Sequence, residues 1–185
     1  MQKYLVIDNF LNDPTDVRDY RSLILPFWDK QNHPYPDSLS DFPGYRTEYL
    51  HQLDSELFNE VSNKLKCAIQ IFTNFSANIS DVQTHYSFQY TTRNLNRSLP
   101  QFHVDIGMNE YNTIIAGVIY LNPKPPKNIG TILNLNGKKQ IIENKFNRLL
   151  LYDGCNVQHS IQRSFSKTKY DSRLVLSNFT YLNCY

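Results

Sequence analysis

The hydrophobic pattern changes its period part-way along the chain. In the first part it is helical. Asp13-Pro14 opens a helix, since Asp can accept from a free backbone N–H and Pro is tolerated in the first turn. Val17, Tyr20, Leu23 and Ile24 form its apolar stripe, ending near Pro26. A longer helix is predicted from Leu53 to Phe72, capped by Asp54 or Ser55. Its stripe is Phe58, Val61, Leu65, Ala68, Ile69 and Phe72, which should lie on a sheet. After about Asn78 the period becomes two. Val82, Thr84, Tyr86, Phe88 and Tyr90 alternate with Gln83, His85, Ser87 and Gln89. Further strands are predicted at Gln101–Ile106, Gly130–Leu135, Lys139–Glu143, Arg148–Tyr152 and Arg173–Tyr181, with a hairpin at Asn136-Gly137. Thr113–Leu121 is apolar at nearly every position and therefore central. Tyr4–Ile7 adds a short strand at the start.

Helices followed by seven or eight antiparallel strands predict a mainly β (α+β) fold. A double-sheet jelly roll removes the edge problem for that many strands, with the helices buttressing one sheet. The chain has 185 residues, enough for one full core and short for two, and shows no repeat or linker. We therefore expect one domain over 1–185, with helical support and a loop region in 1–77 and the strands in 78–185. The stretch Phe27–Gly44 breaks both periods with Pro34, Pro36 and Pro43, yet carries Trp28, Tyr35 and Phe42. This predicts an ordered lid or binding loop.

Composition narrows the function classes. Net charge is +2, from 19 basic and 17 acidic residues, too balanced for a nucleic-acid groove. Arg163, Lys167 and Lys169 read as a solvated loop. Cys67, Cys155 and Cys184 have neither disulfide nor zinc spacing, which points to a reducing, cytoplasmic setting. No apolar run is long enough to span a bilayer, and no signal peptide is visible.

The chemistry centres on Gln101-Phe102-His103-Val104-Asp105. Two residues apart on a strand, His103 and Asp105 point to one face, roughly 6–7 Å apart. Such a pair arises easily by chance. His159 would complete a set of two nitrogens and one carboxylate, the arrangement of non-haem Fe(II) sites with open positions. Arg173 heads the next strand, where a guanidinium can project into the barrel and grip a carboxylate.

His-x-Asp, a distant His and an Arg beyond it resemble the signature of the 2-oxoglutarate/Fe(II)-dependent oxygenases. "VIDNFLNDP" at Val6–Pro14, "FPGYRT" at Phe42–Thr47, "PQFHVD" at Pro100–Asp105, "AGVIYLNP" at Ala116–Pro123 and "FNRLLLYDGCNVQHS" at Phe146–Ser160 are similar to a bacterial and phage branch related to prolyl hydroxylases. The likeness covers nearly the whole chain. One departure is Ile129-Gly130-Thr131, where related sequences carry Gly-Gly-Thr; Gly130 still permits a tight turn.

The resemblance implies a double-stranded β-helix with Fe(II) on His103, Asp105 and His159, and 2-oxoglutarate as co-substrate anchored by Arg173. It also implies O₂ as oxidant, with succinate and CO₂ released as a C–H bond of a peptide side chain or small molecule is hydroxylated. Tyr90 and Ser177 are further candidates for the co-substrate, Ser177 because it shares a strand face with Arg173. Tyr86 and Tyr120 are weaker ones. Arg148 is a rival anchor but precedes the third ligand. His33, His51 and His85 read as structural or exposed, and Cys155 as packing. Two other readings stay open: a jelly-roll metal-binding module without turnover, and a cupin-like metal enzyme that does not use 2-oxoglutarate.

Overall fold

A computed structural model describes residues 2–29, 32, 44–74, 83–91, 102–105, 113–161, 168 and 171–182. Most of the expected lid, together with His33, the basic cluster of Arg163, Lys167 and Lys169, and Cys184, lies outside these residues. The chain begins with β1 (Tyr4–Asp8) and α1 (Pro14–Asp16), where Asp13 accepts the Asp16 N–H at 2.9 Å. Val17–Ser22 then winds as a π-helix, the Leu23 N–H reaching back to the Arg18 carbonyl at 3.1 Å. The wider turn rotates the face. Val17 and Ser22 are buried, whereas Tyr20 and Ile24, expected on the stripe, are 71% and 75% exposed. A stripe drawn with the 3.6-residue period fails where the bonds span five residues.

β2 (Tyr45–Arg46) and α2 (Leu50–Leu53), neither of them expected, lead into α3 (Ser55–Phe72). Asp54 caps α3 by accepting the Leu57 N–H at 2.9 Å. Its buried stripe is Leu57, Val61, Leu65, Ala68, Ile69 and Phe72. This is the expected face with Leu57 in place of Phe58, which is half-buried with its ring edge-on to Tyr86.

The remaining strands are β3 (Gln83–Thr91), β4 (Thr113–Tyr120), β5 (Gly130–Leu135), β6 (Lys138–Glu143), β7 (Arg148–Asp153), β8 (Gln158–Ile161) and β9 (Arg173–Leu182). They form a six-stranded sheet in the order β1-β7-β4-β9-β3-β2 and a three-stranded sheet in the order β6-β5-β8, with every pairing antiparallel. β4 is central, as its continuous apolar run requires. The β5–β6 hairpin turns on Asn136 and Gly137, both at positive φ. Of the expected Gln101–Ile106 strand, the described residues are 102–105. Within 102–105 a single bridge pairs His103 with His159 and adds this segment to the β8 edge.

Two apolar clusters flank the large sheet. The outer one joins α3 to Phe88, Ile115, Ile119, Leu149, Leu151, Leu174 and Leu176. The inner one lies between the sheets and holds Ala116, Val118, Tyr120, Leu150, Tyr152 and Val175 with Leu133 and Ile142. Burying such side chains contributes about 1.5–3 kcal/mol each. The architecture is therefore a jelly roll with its helices on the outside of the large sheet. Gly130 has a different role from the one expected. It sits in β5, not in a tight turn, and a Cβ there would lie 1.9 Å from the Ile142 carbonyl oxygen. β6 closes on it.

Candidate metal centre

Antiparallel partners share a face, so the strand register arranges the inner surface of the large sheet in rows. One row runs Tyr152, Ala116, Phe179, His85 across β7, β4, β9 and β3. The next is Leu150, Val118, Ser177, Ser87, and the third is Arg148, Tyr120, Val175, Gln89. Arg173 and Thr91 follow in the fourth. Successive rows are about 6.6 Å apart along the strands.

The predicted triad assembles over the first row. Asp105 is held by its own N–H donating to the Gly154 carbonyl at 2.8 Å, and the Gly154 N–H donates to Ile114 at 2.8 Å. A Cβ on Gly154 would lie 2.7 Å from Asp105 Oδ2 and 3.1 Å from Ala116 Cβ, so the carboxylate rests on this bare backbone. His103 and His159 are locked together by reciprocal backbone bonds of 3.1 and 2.9 Å. Their rings are 4.3 Å apart. His103, Asp105 and His159 each offer one ligand atom, and these atoms lie within 4.8 Å of one another.

The donor set fits a cation. His103 Nε2 and His159 Nε2 stand 4.0 and 3.6 Å from Asp105 Oδ1, too far for hydrogen bonds. Asp105 Oδ2 is buried and has no hydrogen-bond partner among the described residues. His159 Nδ1 lies 3.2 Å from the Val157 carbonyl, which places the proton on Nδ1 and leaves the Nε2 lone pair facing the carboxylate. Burial pushes the Asp105 carboxyl up to about 6 against the pull of His103. Burial, helped by His103, pushes His159 down to about 4, with the Val157 carbonyl opposing. Without a cation the site thus favours neutral groups, and a divalent ion would reverse that preference.

Arg173 is 2% exposed, and no carboxylate pairs with it among the described residues. One Nη donates to Thr131 Oγ1 at 3.3 Å, Cζ sits 5.6 Å from the Tyr120 ring centroid, and Nε is buried without a partner among the described residues. Burial lowers its pKa, and Tyr120 and Tyr152 oppose that shift. A buried cation without a counter-ion is costly. Asn122 fixes the approach to β9 by donating to the carbonyls of Asp171 and Ser172 at 3.1 and 2.9 Å.

The other candidates divide by face. Ser177 lies in the second row, its hydroxyl 3.3 Å from that of Ser87 and donating to the Ser87 carbonyl at 3.1 Å. Tyr90 falls on the opposite face. It stacks on Tyr45 at 4.8 Å, meets the Phe27 edge at 4.9 Å and packs against the outer cluster, so the structure does not bring it to the triad. The parity it shares with Tyr86 and Phe88 already indicated this. Tyr86 is likewise in the outer cluster, whereas Tyr120 lies beside Arg173 with its hydroxyl 2.7 Å from Thr131 Oγ1. Arg148 pairs with Asp8 at 2.7 Å. His85 lies in the first row with its ring 5.6 Å from Tyr181 and 5.0 Å from Tyr49, so it faces the interior. Sequence reasoning missed Gly154, Thr131 and Tyr152. The last was legible as the inner-parity residue of β7, its ring 4.6 Å from that of His159.

No protein-family model matches the sequence, and no curated protein matches it. Solved structures do. A prolyl-4-hydroxylase from Pseudomonas putida superposes with a TM-score of 0.58 at 13% identity, over 100% of this chain and 94% of that one. A prolyl hydroxylase from Trichoplax adhaerens, in complex with a hypoxia inducible factor oxygen degradation domain peptide fragment, gives 0.60 at 14% identity over 97% and 83%. HygX from Streptomyces hygroscopicus, with nickel and 2-oxoglutarate bound, gives 0.62 at 13% identity over 99% and 84%. The chain thus shares the jelly-roll fold of these proteins.

Proposed function

We propose that this chain is an Fe(II)- and 2-oxoglutarate-dependent dioxygenase that hydroxylates a C–H bond of a peptide side chain or small molecule. One observation carries the reading: a His-Asp-His triad and a buried guanidinium with no counter-ion among the described residues face the same roll interior. From the row beneath Asp105 to the row of Tyr120, over which Arg173 bends, is about 13 Å along the strands. Val118, Leu150 and Ser177 floor the interval. A five-carbon dicarboxylate would meet the triad at one end and Arg173 at the other. His103, Asp105 and His159 would hold the metal, and the neighbouring apolar residues would exclude water. Bound iron with 2-oxoglutarate supplies O₂ activation, the co-substrate leaving as succinate and CO₂. HygX and the prolyl hydroxylases support this reading through their fold. A metal module without a dicarboxylate would leave Arg173 without a role.

The test is anaerobic titration with Fe(II) and 2-oxoglutarate, following the visible charge-transfer band, then admission of O₂ and measurement of succinate. We expect a band and substrate-uncoupled succinate in the wild type, both lost in His103→Ala. In Arg173→Ala, 2-oxoglutarate affinity should fall about a hundredfold, the loss of a charge-assisted contact. Absence of both signals in the wild type would overturn the reading.

A further inference from the structure

We propose that Tyr152 is a second anchor for the dicarboxylate, its phenol donating a hydrogen bond to the end nearest the triad; this rests on the function proposed above. Tyr152 stands in the first row beside Ala116, over which the Asp105 carboxylate lies. Its ring is 4.6 Å from that of His159, and only 5% of the residue is exposed. Along β7 the preceding inner position is Leu150, so an apolar ring would have served for packing alone.

Nearby phenols on this face show what a structural tyrosine looks like. The Tyr120 hydroxyl lies 2.7 Å from Thr131 Oγ1, and the Tyr4 hydroxyl accepts from Gln140 Nε2 at 2.7 Å. The Tyr152 hydroxyl has no such hydrogen bond among the described residues. Buried phenols usually find partners, and the Tyr152 oxygen is not sealed off as Asp105 Oδ2 and Arg173 Nε are, so a group entering the interior can reach it. On one side of Tyr152 stands the triad; on the other lie Tyr120 and Arg173. The group whose carboxylates would meet both ends is also the one that would accept from this phenol.

Tyr152→Phe separates this role from packing, since it keeps the ring and removes only the donor. The protein would be loaded with Ni(II) for calorimetric titration with 2-oxoglutarate, and with Fe(II) under anaerobic conditions for the charge-transfer band. The thermal midpoint would be measured without ligand. We expect about tenfold weaker 2-oxoglutarate binding, the loss of one hydrogen bond to a charged acceptor. The band should be shifted and the ligand-free midpoint equal to or above wild type. Unchanged affinity with an unchanged band overturns the inference, and so does a midpoint that falls together with affinity, which marks a packing role. If the wild type itself binds no 2-oxoglutarate, the underlying function fails first, and Arg173→Ala would then match wild type in the same titration.

Discussion

The two faces of the large sheet use the same strands for opposite ends. On the outer face, Phe88, Ile115, Ile119, Leu149, Leu151, Leu174 and Leu176 are almost fully buried against the helices. On the inner face the alternate residues include Ser87, Gln89, Arg173 and Ser177, all buried and all polar. Phe88 on β3 and Leu174 and Leu176 on β9 therefore serve cohesion, and the residues between them furnish the roll's interior. A one-residue slip in register would exchange the two sets, so the apolar outer face also aims the inner residues. Polar positions in an alternating strand are usually read as facing water; here they are buried and face the roll's interior.

The hardest test of this division is a pair of neighbouring substitutions. Phe88→Ala should cost about 3–5 kcal/mol, because it opens a cavity under α3. Gln89→Ala removes a hydrogen bond of 3.2 Å to Ser87 Oγ and should cost about 1 kcal/mol. Urea unfolding of both variants measures the difference. Comparable losses would show that the inner face carries stability as well.

That division sets how much the sequence could reveal. Element type was readable wherever one period held over many residues, as in α3, β3 and β9. It failed at Val17–Ser22, where the π-helix changes the period, and at β8, whose four residues are too few to show one. The triad and Arg173 were legible as spaced residue types, a pattern that does not depend on packing. Tyr90 was misplaced because hydroxyl chemistry was weighed without the parity it shares with Phe88. Thr131, Gly154 and Tyr152 escaped because their roles exist only once β5, β7 and the His103 segment converge. No local spacing encodes that convergence.

The next test concerns the cost of keeping a carboxylate on the inner face. Asp105 titrates near 3.8 when unfolded and at about 6 in the metal-free fold, raised by burial. The folded state therefore holds a proton that the unfolded state has released between those values. The contribution of Asp105 to stability is full below pH 3.8 and is lost as pH rises through 6. About two pKa units at 1.36 kcal/mol each give on the order of 3 kcal/mol. Asp105→Asn should then gain on wild type by that amount between pH 4 and pH 7, in the presence of a chelator. Added Ni(II) should raise the wild-type midpoint and leave the variant unmoved. A stability difference that stays flat with pH would remove the claim that Asp105 is a strained, metal-ready carboxylate.

Gly154→Ala asks whether function can be damaged from the inner face while the outer face stays intact. The added methyl would stand 2.7 Å from Asp105 Oδ2, 3.1 Å from Ala116 Cβ and 3.2 Å from the Ile114 carbonyl oxygen. The carboxylate is the most mobile of these neighbours, so it should give way first, and the strands should keep their register. Metal sites tolerate only small shifts in ligand position, and disturbing the groups that orient a ligand typically costs 10–100-fold in affinity. Ni(II) titration should show a loss in that range, while the metal-free urea midpoint stays within about 1 kcal/mol of wild type. Equal losses in both measurements would mean that Gly154 supports the fold rather than the triad. Loss of affinity alone would place the coupling where the geometry puts it, at the one backbone position just past β7 on which Asp105 rests.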